Sequence, residues 1–226
     1  MSERLPFKPF NESGEVRIYY NGLLPHWRQT GCTYFVTFRL ADSLPRGVVE
    51  EWRVERDSWL AARGIDLRVT SLKQAVRRLS TRDRRLFERH FVGKLFEYLD
   101  RGLGECVLRN SEIGGIVAES LLHFHGERLN TGDFVVMPNH VHLLATPYDN
   151  VELEDLLHSI KSYTANLINE RLHRSGPLWM DDSYDHIVRD QKELLRIQSY
   201  IRANPEKARL ATGTFCLHDA EYALSD

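Results

Sequence analysis

The chain has 226 residues, with 30 Lys and Arg against 32 Asp and Glu, for a formal net charge of −2. Hydrophobic residues make up 42% and charged residues 27%, a balance that excludes wholesale disorder and suffices for a core without staples. The near-neutral total also excludes a strongly basic body as the basis of nucleic-acid binding, so any such binding rests on local charge.

Residues 1–24 mix proline, glycine and charge without periodicity and read as a loose arm on a single domain spanning 1–226. Tyr34, Val36, Phe38 and Leu40 alternate with Phe35, Thr37 and Arg39, which predicts a strand. A helical, basic insertion over about 42–104 follows, broken near Gly64. From Ser71 to Arg101 it holds nine Lys and Arg against four acids. It is expected to supply no ligand and no nucleophile. A short strand is predicted at Glu105–Arg109, then a helix capped by Asn110 or Ser111 and running to about Gly126. Two strands, Asp133–Met137 and His140–Thr146, flank a Pro138-Asn139 turn. Leu153, Leu156, Leu157, Ile160, Tyr163, Thr164, Leu167 and Ile168 mark an amphipathic helix over about 151–172. A strand around Tyr184–Val188 precedes a last helix from about Gln191 to Asn204, expected to stop near Pro205. This order predicts an α+β sandwich, an antiparallel sheet with helices packed on it.

Three scattered cysteines, Cys32, Cys106 and Cys216, form neither a disulfide framework nor a metal clamp and suit a reducing compartment. No apolar run is long enough to span a membrane, and the N-terminus lacks a signal-peptide layout, so a cytoplasmic protein without membrane partners is expected.

The sharpest motif is MPNHVHLLA. On a strand, His140 and His142 project from one face while Val141, Leu143 and Ala145 project from the other. Two neighbouring imidazoles can share a divalent metal, whose identity the spacing leaves open. On the last helix, Leu194, Ile197 and Ile201 form the apolar stripe. Tyr200 and Asn204, four apart, share one edge of it, beside Glu193.

Together with these residues, the strings LPHWRQTGCTYFVTFRLADSLP, GECVLR, LHFHGERL, IKSYTANLIN, GPLWMDDSYDHIVRD and SYIRANPEKARL stand in order from about Pro25 to Leu210. In them the chain resembles the REP-associated tyrosine transposases. These are bacterial single-strand DNA transposases with a His-hydrophobic-His motif and one catalytic tyrosine. The resemblance implies a ferredoxin-like sandwich with a central antiparallel sheet and a helical insertion after its first strand. It implies His140 and His142 as metal ligands, Asn204 as the third ligand and Tyr200 as the nucleophile. The cofactor implied is a divalent metal, Mg²⁺ or Mn²⁺, with no nucleotide. The partner implied is single-stranded hairpin DNA, bound by a monomer or homodimer. The chain departs from the family after Pro205. Members commonly continue Val-Lys-Ala-Gly, whereas this chain reads Glu206-Lys207-Ala208-Arg209.

A phenol with an ordinary pKa of about 10 is a weak nucleophile at neutral pH, and a metal that polarises a phosphate makes the target electrophilic. The expected reaction cleaves and rejoins DNA through a covalent 5′-phosphotyrosine. Candidate DNA contacts are Trp27, Arg28, Arg39, Lys161, Trp179, His186 and Arg189, with Arg171 and Arg174, since single-strand binding combines basic grooves with aromatic stacking. The basic insertion offers phosphate contacts to a hairpin stem. Two other readings stay open at this level: a metal-dependent phosphodiesterase that uses water, and a non-catalytic or domesticated DNA-binding protein.

Overall fold

The computed structural model describes residues 4–19 and 26–224. Residues 20–25, where the expected arm ends, lie outside the described residues, as do the side chains of Lys73 and Arg77 in the basic stretch. Before the sheet come β1 (Leu5–Pro6), β2 (Arg17–Tyr19) and β3 (His26–Arg28). The arm is not loose throughout: Leu5 is buried and pairs with Tyr222 of the C-terminal strand, and Arg17 pairs with Arg28.

The main sheet contains β4 (Tyr34–Leu40), β5 (Leu129–Val136), β6 (His140–Pro147), β7 (Trp179–Ile187) and β8 (Cys216–His218). Its order is β7-β4-β6-β5-β8, with every neighbouring pair antiparallel. Helix α5 (Ser111–His123) lies between β4 and β5, and α6 (Leu153–Arg171) between β6 and β7. The resulting βαββαβ path with order 4-1-3-2 is the expected ferredoxin-like sandwich, with β8 added at one edge. Asn110 caps α5 by accepting from the backbone N–H of Glu112 and Ile113.

The alternation read from β4 and β6 sorts the core into two layers. Tyr34, Val36, Phe38, Leu40, Val141, Leu143 and Ala145 pack with α5 and α6. Phe35, Val135 and Leu144 pack with Leu194, Ile197 and Ile201 of α7 (Gln191–Lys207) on the other face.

Two elements differ from expectation. Glu105–Arg109 is not a strand: Val107–Arg109 is a 3-10 turn entered through Cys106 at φ 54°. Five residues with two preceding glycines are too short a signal to separate a strand from a tight turn. The last helix runs through Pro205 to Lys207. Proline in a final turn forfeits one hydrogen bond, and its carbonyl still accepts from Leu210 N at 3.0 Å. Beyond it, Arg209 takes the left-handed region (φ 52°), where the resembled family commonly has the glycine that suits this geometry.

The insertion holds α1 (Arg46–Ala61), α2 (Leu72–Arg78), α3 (Thr81–Phe87), a π-turn at Glu88–Val92 and α4 (Gly93–Asp100). Trp52, Leu60, Val76, Phe87 and Phe91 give it a core of its own, with Phe96 and Tyr184 at its border. No helix among the described residues is long and apolar enough to cross a membrane.

On the α6 side, Asp185 is buried and pairs with both His26 and Arg28, and Arg28 also reaches Glu154 at 2.6 Å. Burial works against the charge of Asp185, yet hydrogen bonds from His26 and Arg28 hold its carboxyl below the usual range. Arg28→Ala leaves this buried carboxylate with His26 as its remaining partner and is expected to cost up to about 3–5 kcal/mol of stability, read by urea denaturation. A depressed folded pKa stabilises fully above the unfolded value of about 3.9 and loses that contribution as pH falls through the folded value. The Arg28→Ala deficit is therefore expected to be largest near neutrality and to shrink in acid.

Candidate metal and tyrosine site

The strand phase puts His140 and His142 on the α7 face, where both are fully buried. Neighbours fix both rings. Asn139 Nδ2 donates to Leu103 O at 2.9 Å, which directs its amide oxygen to accept from His140 Nδ1 at 2.7 Å. The Thr37 hydroxyl bonds His142 Nδ1 at 2.7 Å from the facing strand. Both Nε2 atoms consequently face inward, 3.1 Å apart. Burial pushes the His140 pKa down to about 3, and burial with its neighbour lowers that of His142. Both imidazoles are neutral at pH 7, the form that ligates metals.

Tyr200, half-buried on α7, places its hydroxyl 3.1 Å from His142 Nε2. Its ring packs edge-on to Phe35 at 6.1 Å and stacks with Phe96 of the insertion at 6.1 Å. Burial, and then the charge of Asp100, raises its pKa above the ordinary phenol value, so the resting hydroxyl is protonated. Asn204, one turn on, is fully buried, and neither its amide oxygen nor its nitrogen has a hydrogen-bond partner.

The insertion, expected to contribute no ligand, brings Asp100 to this point from the end of α4. Its carboxylate lies 4.0 Å from His140 Nε2, and one ligand atom from each of Asp100, His140 and His142 falls within 4.8 Å of the others. Its buried Oδ1 has no hydrogen-bond partner. Burial raises the carboxyl pKa to about 6, with Lys207 pulling the other way. Two inward Nε2 atoms, an orphaned carboxylate oxygen and an orphaned amide suit a divalent cation of intermediate hardness.

The remaining candidates are spread over the molecule. Trp179 is buried against Phe38 and donates from Nε1 to Thr164 at 2.9 Å, and Lys161 donates to the carbonyls of Met180 and Asp181. Both lie on the α6 side, along a 1090 Å³ groove that Glu152, Glu154, Asp181 and Asp182 share with Arg28. Such mixed charge makes the groove a poor electrostatic match for a phosphate chain. Arg39 is buried and bonds Ser43 Oγ at 3.1 Å. Arg171 and Arg174 face Glu112 and Glu105, at 3.7 and 2.8 Å. Trp27 is half-buried with Arg84 above its ring, and Arg189 is exposed. Glu193, on the same edge of α7 as Tyr200, pairs with His186 at 3.3 Å and with Arg196.

Residues 116–204 match the family of IS200-like transposases. This segment runs from α5 to Asn204 and contains His140, His142 and Tyr200, so the resemblance read from the sequence is borne out there. A solved structure of the REP-associated tyrosine transposase bound to a REP hairpin aligns with 85% of this chain and 73% of its own. The identity is 14% and the TM-score 0.43. No curated protein matches the chain at a significant level.

Proposed function

We propose that the protein is a metal-dependent transposase that cleaves and rejoins single-stranded hairpin DNA through a covalent 5′-phosphotyrosine on Tyr200. The observation that carries this reading is the convergence of two neutral, inward-facing imidazoles with a tyrosine hydroxyl 3.1 Å from one of them. His140 and His142 would hold the ion, with Asn204 beside them. Bound there, Mg²⁺ or Mn²⁺ supplies Lewis-acid polarisation of the scissile phosphate.

The chain's own residues do the rest. Asn139 and Thr37 keep the two rings in register. Phe35 and Phe96 wall the tyrosine and exclude water, which favours the phenol over hydrolysis. As the Tyr200 Oη–phosphorus bond forms, the bond to the 3′-oxygen breaks. One proton leaves the phenol and one is taken up by the departing oxygen. The phosphotyrosine conserves the bond, so a later 3′-hydroxyl can reverse the step without a nucleotide cofactor.

Incubation with a labelled single-stranded hairpin and Mn²⁺, followed by a denaturing gel, tests the reading. Label migrating with the protein supports it. Cleaved DNA with none attached to protein would assign the reaction to water.

The insertion is proposed to hold the hairpin stem. Arg78 and Arg85 are exposed. Three of the four acids of 149–155, the alternative partners for these arginines, pair elsewhere: Asp149 with Lys8, Glu152 with Arg17 and Glu154 with Arg28. Reversing Arg77, Arg78, Arg84 and Arg85 to Glu is expected to weaken hairpin binding. It should flatten the slope of log affinity against log salt by roughly 0.7–0.9 for each phosphate no longer neutralised. Cleavage at saturating DNA is expected to persist. Affinity measured at several salt concentrations checks this, and an unchanged slope would remove the insertion from the DNA surface.

A further inference from the structure

We infer that Asp100 is the anionic ligand of the metal held by His140 and His142, and that binding of the ion thereby fastens the helical insertion onto the sheet. This rests on the metal-site reading above and adds to it a ligand that the resemblance does not assign.

Charge is the first argument. Two neutral imidazoles and an amide bring no negative charge to a dication, so before a DNA phosphate arrives a largely buried ion held by them alone has no anion beside it, which is disfavoured. Asp100 has the only carboxylate grouped with the histidines among the described residues. Its buried Oδ1 lacks a donor, and among the described residues no Lys or Arg nitrogen lies within ion-pair distance of it. An acid of this kind is incomplete without a cation.

Architecture is the second. The insertion folds around its own cluster of Trp52, Leu60, Phe87 and Phe91, distinct from the two layers that flank the sheet. Phe96 and Tyr184 border both this cluster and the α7 layer. Phe96 reaches His142 edge-on at 5.3 Å, and Asp100 follows one turn later on the same helix. One aromatic side chain, Phe96, which meets Phe35, His142 and Tyr200, and one carboxylate thus join α4 to the site. A coordinate bond at Asp100 would convert that narrow junction into a fixed one and hold Phe96 over the tyrosine.

The test uses the full chain and Mn²⁺ alone. Titration calorimetry reads affinity, and amide hydrogen exchange reads the opening of residues 93–101. In the unmodified protein Mn²⁺ is expected to bind and to slow exchange across α4. Asp100→Asn, which preserves shape, is expected to weaken Mn²⁺ at least about tenfold and to abolish the slowing. Asp100→Glu, which restores the charge, is expected to recover part of both. Matching melting curves in EDTA establish that the variants fold. If Asp100→Asn binds Mn²⁺ with unchanged affinity, or still slows exchange across α4, the inference is overturned while the histidine site stands. If the unmodified protein binds no Mn²⁺, the metal-site reading itself fails.

Discussion

Tyr200→Phe is expected to form no covalent adduct with hairpin DNA while binding the hairpin within about twofold of the unmodified protein. Removal of a nucleophile lowers the chemical step by at least roughly a thousandfold, because the other groups cannot act without it. Phenylalanine keeps the ring that packs against Phe35, Phe96 and His142. It removes only the oxygen directed at His142 Nε2. An adduct of undiminished yield would move the role to another tyrosine. Tyr184 is then the geometric successor, since its ring lies 5.3 Å from Phe96 on the same face. Tyr163 is 60% exposed on α6, across the sheet, and is poorly placed to substitute.

His140→Ala and His142→Ala are each expected to lower cleavage in Mg²⁺ or Mn²⁺ by at least about a hundredfold, and EDTA should do the same to the unmodified protein. A platform of two imidazoles that loses one retains a single nitrogen ligand and no longer fixes the ion relative to Tyr200. Asn204→Ala should be milder, because water can replace a neutral amide oxygen. Rates at saturating DNA, measured against Mn²⁺ concentration, separate the two cases. The histidine variants should stay slow at any concentration, whereas the asparagine variant should recover at higher metal. A crystal soaked in Mn²⁺ is expected to show density between His140 and His142.

Local periodicity makes much of this architecture readable in the sequence alone. The alternation in Tyr34–Leu40 and in His140–Ala145 assigns each side chain to one face, and the two core layers follow it. The i, i+4 relation of Tyr200 and Asn204 likewise puts both at the site. Thr37 is also visible in the sequence, as the polar residue between Phe35 and Arg39 on the inward phase, although its partner His142 is not. What stays hidden depends on long-range docking. Asp100 ends a helix inside a basic run and looks like any solvated acid, because nothing local says that α4 folds back over β6. Arg28 looks like a DNA contact until the fold buries it against Asp185, 157 positions away. Short edge strands such as β1 and β8 escape for the same reason, since two or three residues carry no period.

The most direct measurement is the position of the DNA on the protein. Protein captured by a hairpin in Mn²⁺ would be digested with protease and nuclease, and the nucleotide-bearing peptide sequenced by mass spectrometry. The expected result is a nucleotide joined through its 5′-phosphate to Tyr200. A phosphonucleotide on Tyr184, or cleaved hairpin with unmodified Tyr200 throughout, would contradict it.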